Sequence, residues 1–341
     1  MRASPPDRPN APSRETLLAI EEVSVELPSP RGILRAVDRV SLSLGPGRTL
    51  GLVGESGSGK SMLSRAIAQL LPRKARLSGR VLFAGEDLTR LGAEPLRRLR
   101  GKSIAFVFQD PMTSLNPVLT VGSQIAETLT EHLALDGRTA RERAVELLAA
   151  VGISTPEQRL KDYPHQFSGG MRQRVAIAIA LIHKPRLLIA DEPTTALDVT
   201  TQAQILAEVQ TLCGESGTAL MWITHDLAVV AGLADRIAVM YAGRIVEEGP
   251  TDAVLARPLH PYTHGLIGSL PHGIGVPLTQ VPGMPPSPAH LPVGCAFAPR
   301  CPRADTICNA QRPVMVEYGK GRGTRCWHPH LETETCSPSS A

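Results

Sequence analysis

Aromatic side chains, long apolar runs and net charge are all scarce in these 341 residues. Phe, Trp and Tyr together make up 3% of the chain, so its core has to be built from Leu, Ile, Val and Ala. The longest apolar run, VAIAIALI from Val175 to Ile182, falls well short of the roughly 18–20 residues that span a bilayer. It reads as a buried helix, and any membrane role has to come through a partner. The N-terminal stretch MRASPPDRPNAPSRE lacks the apolar centre of a secretory signal, so a cytoplasmic location is expected. A net charge of +4 gives no support for a basic stripe, and no nucleic-acid partner is expected. What remains is 42% hydrophobic and 20% charged, the make-up of an ordinary globular chain of one large or two modest domains.

Residues 1–16, rich in Pro, Ser and Arg, are expected to form a disordered tail. AIEEVSVEL and RVSLSL alternate apolar and polar residues, as strands with one buried face do. TLGLVG, SIAFVFQ, RLLIAD and ALMWITHD read as further strands. SMLSRAIAQLL and the stretch from about Thr200 to Leu212 read as helices. RIAVMYAGRIVEEG predicts a hairpin turning at Ala242-Gly243. Between about 111 and 164 the pattern becomes helical, with Ala144, Leu147, Leu148 and Val151 at helical spacing and Gly152 closing the run. Strands alternating with helices predict an α/β fold with a largely parallel sheet. Near residue 255 the composition shifts toward proline, and six of the ten histidines follow Arg257. A second section is therefore expected over 256–330, followed by a tail from 331 to 341.

Two stretches look built for anions. GESGSGKS follows the predicted strand TLGLV and precedes a helix, the setting that a phosphate-binding loop requires. Its residues Gly54, Glu55, Ser56, Gly57, Ser58 and Gly59 can turn backbone N–H groups inward, with Met62 just behind in the helix. Lys60 is expected to reach the β- and γ-phosphates and Ser61 to ligate Mg²⁺. RLLIADEP supplies the carboxylates at a strand end: Asp191 for Mg²⁺ and Glu192 as a base or water-orienting group. The second stretch is QFSGGMRQR, where Ser168, Gly169, Gly170 and Met171 open a helix. Taken alone it is an N-cap. It is also a place where exposed N–H groups attract negative charge.

With these motifs in their order, together with Gln109 in VFQDP, LLIADEPTTALD and His225 in WITHD, residues 17–255 resemble the ATP-binding subunits of ABC transporters. The resemblance implies a P-loop NTPase (RecA-like) core with a parallel sheet, an antiparallel β subdomain and a helical insertion. It implies that two such subunits face each other head to tail. Ser168, Gly169, Gly170 and Met171 of one would then bind the γ-phosphate held by the loop of the other. It implies that Gln109 contacts Mg²⁺ and the attacking water, that His225 contacts the γ-phosphate and keeps the water in line with Glu192, and that Asp198 lies at the dimer seam. ATP and Mg²⁺ are the implied substrate and cofactor. Two departures stand out. The stretch PSPRGILRAV carries no aromatic to stack on adenine, which leaves Arg31 or an aliphatic contact for that role, and Met171 stands where many members have Gln.

RPLHPYTHGLIGSLP and GCAFAPRCPRADTICNAQRP resemble the C-terminal extension of ATP-binding subunits of oligopeptide, dipeptide and nickel importers. Five of the six cysteines fall here, and four of them, Cys295, Cys301, Cys308 and Cys326, are spaced C-x5-C-x6-C-x17-C. The gaps are wider than in most structural zinc sites. Four thiolates suit a 4Fe–4S cluster, which the sub-family resemblance implies. Zinc, aided by His328 or His330, and free thiols are the alternatives. Cys213 and Cys336 are read as unligated. The implied partners are a second ATP-binding subunit, identical or different, two membrane permeases and, indirectly, an extracytoplasmic substrate-binding protein. The implied location is the cytoplasmic face of the inner membrane. A soluble ABC ATPase with a redox-sensing iron–sulfur group is the alternative function.

Overall fold

Short apolar runs separated by turns build the centre of the molecule, which is described by a computed structural model. Residues 16–30, 32–110, 114–133, 136–195, 197–270, 281–319 and 321–331 are described. Arg31, Cys336, the first residues of the expected helical insertion and nearly all of both expected tails lie outside them.

The strands are β1 Leu18–Ser29, β2 Gly32–Leu44, β3 Thr49–Val53, β4 Arg76–Phe83, β5 Glu86–Asp87 and β6 Ile104–Val107. After the helical insertion come β7 Leu187–Asp191, β8 Ala219–Thr224, β9 Arg236–Tyr241, β10 Arg244–Pro250, β11 Val316–Glu317 and β12 Gly323–Thr324. They form two sheets. The smaller, antiparallel one has the order β2-β1-β4-β5, and the larger has the order β11-β12-β10-β9-β3-β8-β7-β6. Strands β6, β7, β8, β3 and β9 run parallel. Every residue of β7 and β8 is buried, as befits a sheet covered on both faces. The expected hairpin turn is present: Ala242 has φ 48° and Gly243 φ 82°, so both central residues lie in the left-handed region that a tight two-residue turn demands.

One core packs the small sheet and the helix Lys60–Ile67 against the large sheet, with Val25, Val37, Leu52, Leu63 and Ile67 fully buried. The opposite face is covered by the helices Gly169–Leu181 and Val199–Ser216 through Ile177, Ile205 and Val209. A third core lies in the helical insertion, where the helices Val121–Leu133 and Gly137–Ala150 bury Ile125, Leu129, Ala144 and Leu148.

The large sheet is mixed rather than purely parallel: β10 returns antiparallel to β9 in the hairpin, and residues beyond 255 extend that edge. Strand β12 pairs antiparallel with Glu247 and Glu248 of β10. Glu247 is fully buried, and its carboxylate accepts from the backbone N–H groups of Leu259 and His260 at 2.8 Å each and from Arg322 at 3.0 Å. A buried carboxylate needs that many donors, and these tie the start of the late section to the sheet. The scarce aromatics gather at the same seam: Tyr241 of the hairpin lies 4.6 Å from Tyr262 and 5.3 Å from Phe297, ring centre to ring centre. Such pairs contribute about 0.5–1.5 kcal/mol each beyond area burial. The compositional shift near 255 therefore marks no break in the packing.

Candidate functional site

The loop after β3 turns sharply, and only glycine fits at two of its corners. A Cβ on Gly54 would strike the Met240 carbonyl, and one on Gly59, whose φ is 106°, would strike the Ala36 carbonyl. The helix Lys60–Ile67 starts directly after Gly59, so the loop ends at a helix N-terminus. Lys60 is only 3% exposed and folds back over the loop, donating to the carbonyls of Gly54 at 2.8 Å and Glu55 at 3.1 Å. Burial pulls its ammonium below the usual lysine range, against the raising effect of Glu192.

Strand β7 ends beside this loop. Ser61 Oγ donates to Asp191 Oδ1 at 2.9 Å, and Ser64 Oγ to Asp191 Oδ2 at 3.3 Å. Asp191 is 2% exposed; burial, with the like charge of Glu192 added, pushes its carboxyl upward. A hydroxyl and a buried carboxylate with a raised proton affinity are hard oxygen donors, and a divalent cation would relieve the buried charge, so the pair fits Mg²⁺.

Glu192 follows with φ 47°, a left-handed turn that is uncommon for a residue with a side chain and redirects the chain at the strand end. Its carboxylate is the meeting point of four side chains. Oε1 lies 3.5 Å from Lys60 Nζ, while Oε2 accepts from Gln109 Nε2 at 3.3 Å and Thr195 Oγ1 at 3.1 Å and lies 3.4 Å from His225 Nδ1. Gln109 comes from the end of β6 and His225 from the end of β8, so three parallel strands converge at their C-terminal edge. The sequence pointed to every member of this cluster except Thr195 and the second hydroxyl, Ser64. Both were legible: Thr195 follows in DEPTT, and Ser64 stands three residues after Ser61, on the same face of the helix.

Ser168–Met171 are not part of this cluster. Ser168 caps the helix Gly169–Leu181, its Oγ accepting from Met171 N at 3.3 Å. Ser168 and Gly169 are exposed, and among the described residues no hydrogen bond joins Ser168–Met171 to the loop at Gly54–Ser61. Asp198 is likewise exposed and caps the helix Val199–Ser216 by accepting from Thr201 N at 2.9 Å. The two helix starts are neighbours, since a Cβ on Gly170 would come within 2.8 Å of Thr201 Cγ2.

The late section carries a second cluster. Cys295, Cys301, Cys308 and Cys326 line one cavity with His328. Burial raises all four thiols, Cys326 to about 12. Four sulfurs around one space fit a thiolate-bound centre, whose metal would displace those protons. The ligand atoms of Asp305, Cys308 and His328 also lie within 4.8 Å of one another, whereas His330 is stacked on His264 at 4.9 Å. Cys213 sits apart in the core beneath the helices.

Residues 37–195 match the family model described as ABC transporter, and residues 246–308 match that described as Oligopeptide/dipeptide transporter, C-terminal region. A protein of Brucella abortus (strain 2308) that carries the inferred name peptide import ATP-binding protein is 49% identical over 324 residues, 94% of this chain and 97% of its own. A similarly named protein of Brucella melitensis biotype 1 is 49% identical over 329 residues, covering 92% and 97%. The dimeric, post-hydrolysis structure of the ATP-binding cassette MJ0796 bound to ADP and Pi superimposes with a TM-score of 0.62 at 30% identity, covering 69% of this chain and 98% of that one. The structure of cbiO1 from Clostridium perfringens, part of the complex cbiONQ, gives 0.59 at 28% identity, covering 71% and 91%.

Proposed function

This chain belongs to the ABC transporter ATP-binding proteins, and from that premise we propose that it hydrolyses ATP in a head-to-tail dimer to energise the import of di- or oligopeptides. The observation that carries the reading is the Glu192 carboxylate, gathered with Lys60, Gln109, Thr195 and His225 within 3.5 Å beside a phosphate-binding loop.

In this reading the amides of Gly54–Met62 wrap the α- and β-phosphates and Lys60 turns from the loop carbonyls to the γ-phosphate. Ser61, Asp191 and Gln109 would hold Mg²⁺, which would supply neutralisation of the phosphate charge. Glu192 accepts a proton from the attacking water. His225 and Gln109, which already touch the Glu192 carboxylate, hold that water in line. Charge then spreads over the phosphoryl oxygens, where the loop amides and Lys60 stabilise it. Ser168, Gly169, Gly170 and Met171 serve the nucleotide on the partner subunit, which accounts for the exposure of Ser168 and Gly169 and for the lack of hydrogen bonds from the four to their own loop. Asp198 stands beside them at the seam. With no aromatic in PSPRGILRAV, Arg31 or an aliphatic contact holds adenine, so selectivity for the base is modest.

The chain divides into an ATPase unit over 17–255, with a helical lever over 111–164, and an extension over 256–330 that packs on it. No helix among the described residues is long and apolar enough to cross a membrane. The lever therefore passes the dimer's closure to two separate permease subunits at the cytoplasmic face, which receive cargo from an extracytoplasmic binding protein. The second ATPase subunit is either a copy of this chain or a related one. Cys295, Cys301, Cys308 and Cys326 hold a 4Fe–4S cluster that stabilises the extension, with zinc in the same cysteine cavity, aided by His328, as the competing occupant.

The test is Glu192→Gln. It keeps the shape but cannot accept a proton, so ATP remains bound and the dimer persists in light scattering, while turnover falls by about 10²–10⁴-fold. Turnover equal to wild type sinks the assignment.

A further inference from the structure

Glu55, the second residue of the phosphate loop, is held from outside the loop by the C-terminal section. Arg300 Nη1 and Nη2 donate to the two oxygens of its carboxylate at 2.6 and 2.9 Å. The Tyr262 hydroxyl accepts from the Glu55 backbone N–H at 2.9 Å. Both partners are built into the core. The Arg300 side chain is 4% exposed and also donates to the Pro282 carbonyl at 2.7 Å and the Tyr241 hydroxyl at 3.3 Å, and Tyr262 is fully buried. They lie 245 and 207 residues from Glu55 in sequence.

We propose that Arg300 and Tyr262 are positioning residues for ATP, fixing Glu55 so that the loop keeps its shape when the triphosphate enters. The inference rests on the ATPase reading above. Two physical arguments support it. A free carboxylate at the mouth of a site for a polyanion repels the ligand, and a bidentate guanidinium both neutralises it and sets its direction. In addition, the Glu55 carbonyl is held by Lys60 at 3.1 Å. That bond is given up when Lys60 turns to the phosphates, and Arg300 and Tyr262 then remain to hold this corner. Arg300 directly precedes Cys301, so the segment that lines the thiol cavity also carries the clamp.

The experiment measures binding of a fluorescent N-methylanthraniloyl ATP to the full chain, with turnover at saturating ATP alongside. Arg300→Met is expected to weaken binding about 5–20-fold, the scale of a lost charge-assisted pair, with kcat within about twofold. In a Glu55→Ala background the same change is expected to matter less than about twofold, because its target is gone. Tyr262→Phe removes one oxygen from a buried ring and is expected to weaken binding about 3–10-fold, which keeps the test alive should Arg300→Met not fold. Unchanged binding in these variants overturns the proposal. So does an Arg300→Met penalty that is the same with and without Glu55, since that penalty would reflect only its contacts with Pro282 and Tyr241. A wild-type chain that binds no nucleotide would instead overturn the ATPase reading itself.

Discussion

Ser61 and Asp191 meet through a 2.9 Å hydrogen bond, although 130 residues separate them. The bond closes the phosphate loop onto the end of β7 and places two oxygen donors side by side. Asp191→Asn keeps the contact but removes the charge. It is expected to abolish the gain in ATP affinity on adding Mg²⁺, leaving binding in the presence of a chelator within about twofold. Calorimetric titration with and without Mg²⁺ checks this, and a full Mg²⁺ response in the variant contradicts the assigned role.

Two neighbours of Glu192 Oε2, His225 from the end of β8 and Thr195 from the turn just after Glu192, should act on chemistry rather than binding. His225→Ala is expected to lower kcat by about 10²–10³-fold with little change in KM, since the imidazole is 53% exposed and carries no packing role. Thr195→Val, which removes only the 3.1 Å hydrogen bond, is expected to cost about tenfold or less. Steady-state kinetics separates the two parameters, and a rise in KM alone for either variant argues against this placement.

Why the cluster could be read from sequence while the clamp could not is a matter of range. Phosphate loops need glycine at fixed spacing and a helix behind them, so GESGSGKS and LLIADEP carry their chemistry locally. The turn at Ala242-Gly243 was legible for the same reason, because both residues need positive φ. Arg300 and Tyr262 follow no local rule; their meeting with Glu55 depends on how the late section packs against the hairpin. The section is poor in apolar runs of its own, and it borrows the core of the large sheet through Tyr262 and Phe297 and adds β12 to its edge.

Iron content tests the thiol cavity. Protein purified without oxygen is expected to hold about four iron and four sulfide per chain, and Cys308→Ser to lose most of both along with thermal stability. A single zinc per chain, retained without sulfide, would assign the site to zinc instead.

Asp38 supplies a pH test on a carboxylate outside the phosphate loop. Burial alone pulls its carboxyl upward, but the hydrogen bond and charge of Arg244 at 2.6 Å, aided by Arg35 and Arg39, hold it below the usual 3.8. The folded state therefore binds its proton less readily than the unfolded one. The stabilisation is complete above about pH 3.8 and is lost as pH falls through the lower folded value. Asp38→Asn leaves Arg244 without its charged partner and is expected to cost about 3–5 kcal/mol at pH 7, the scale for breaking a buried pair. Urea unfolding across pH should show that gap narrowing only below about pH 3.8. A gap that already closes near pH 6 would assign it to another group.

The head-to-tail arrangement makes a prediction that no single-chain site can meet. Gly169 is exposed at the helix start, with only Leu197 near among the described residues, so a Trp there leaves the fold standing while blocking a partner's nucleotide. Gly169→Trp and Glu192→Gln should each be inactive as homodimers. Mixed, they form a hybrid in which the loop and Glu192 of the first chain face the intact Ser168–Met171 of the second. One of its two sites is then whole. With random pairing, about a quarter of wild-type sites return, because half of the dimers are hybrids and half of their sites are complete. If each chain instead completed its own site, mixing would restore nothing, because Glu192→Gln would lack its base and Gly169→Trp its signature on the chain that needs it. ATPase assays on the mixture, set against the sum of the two parts, decide between these cases.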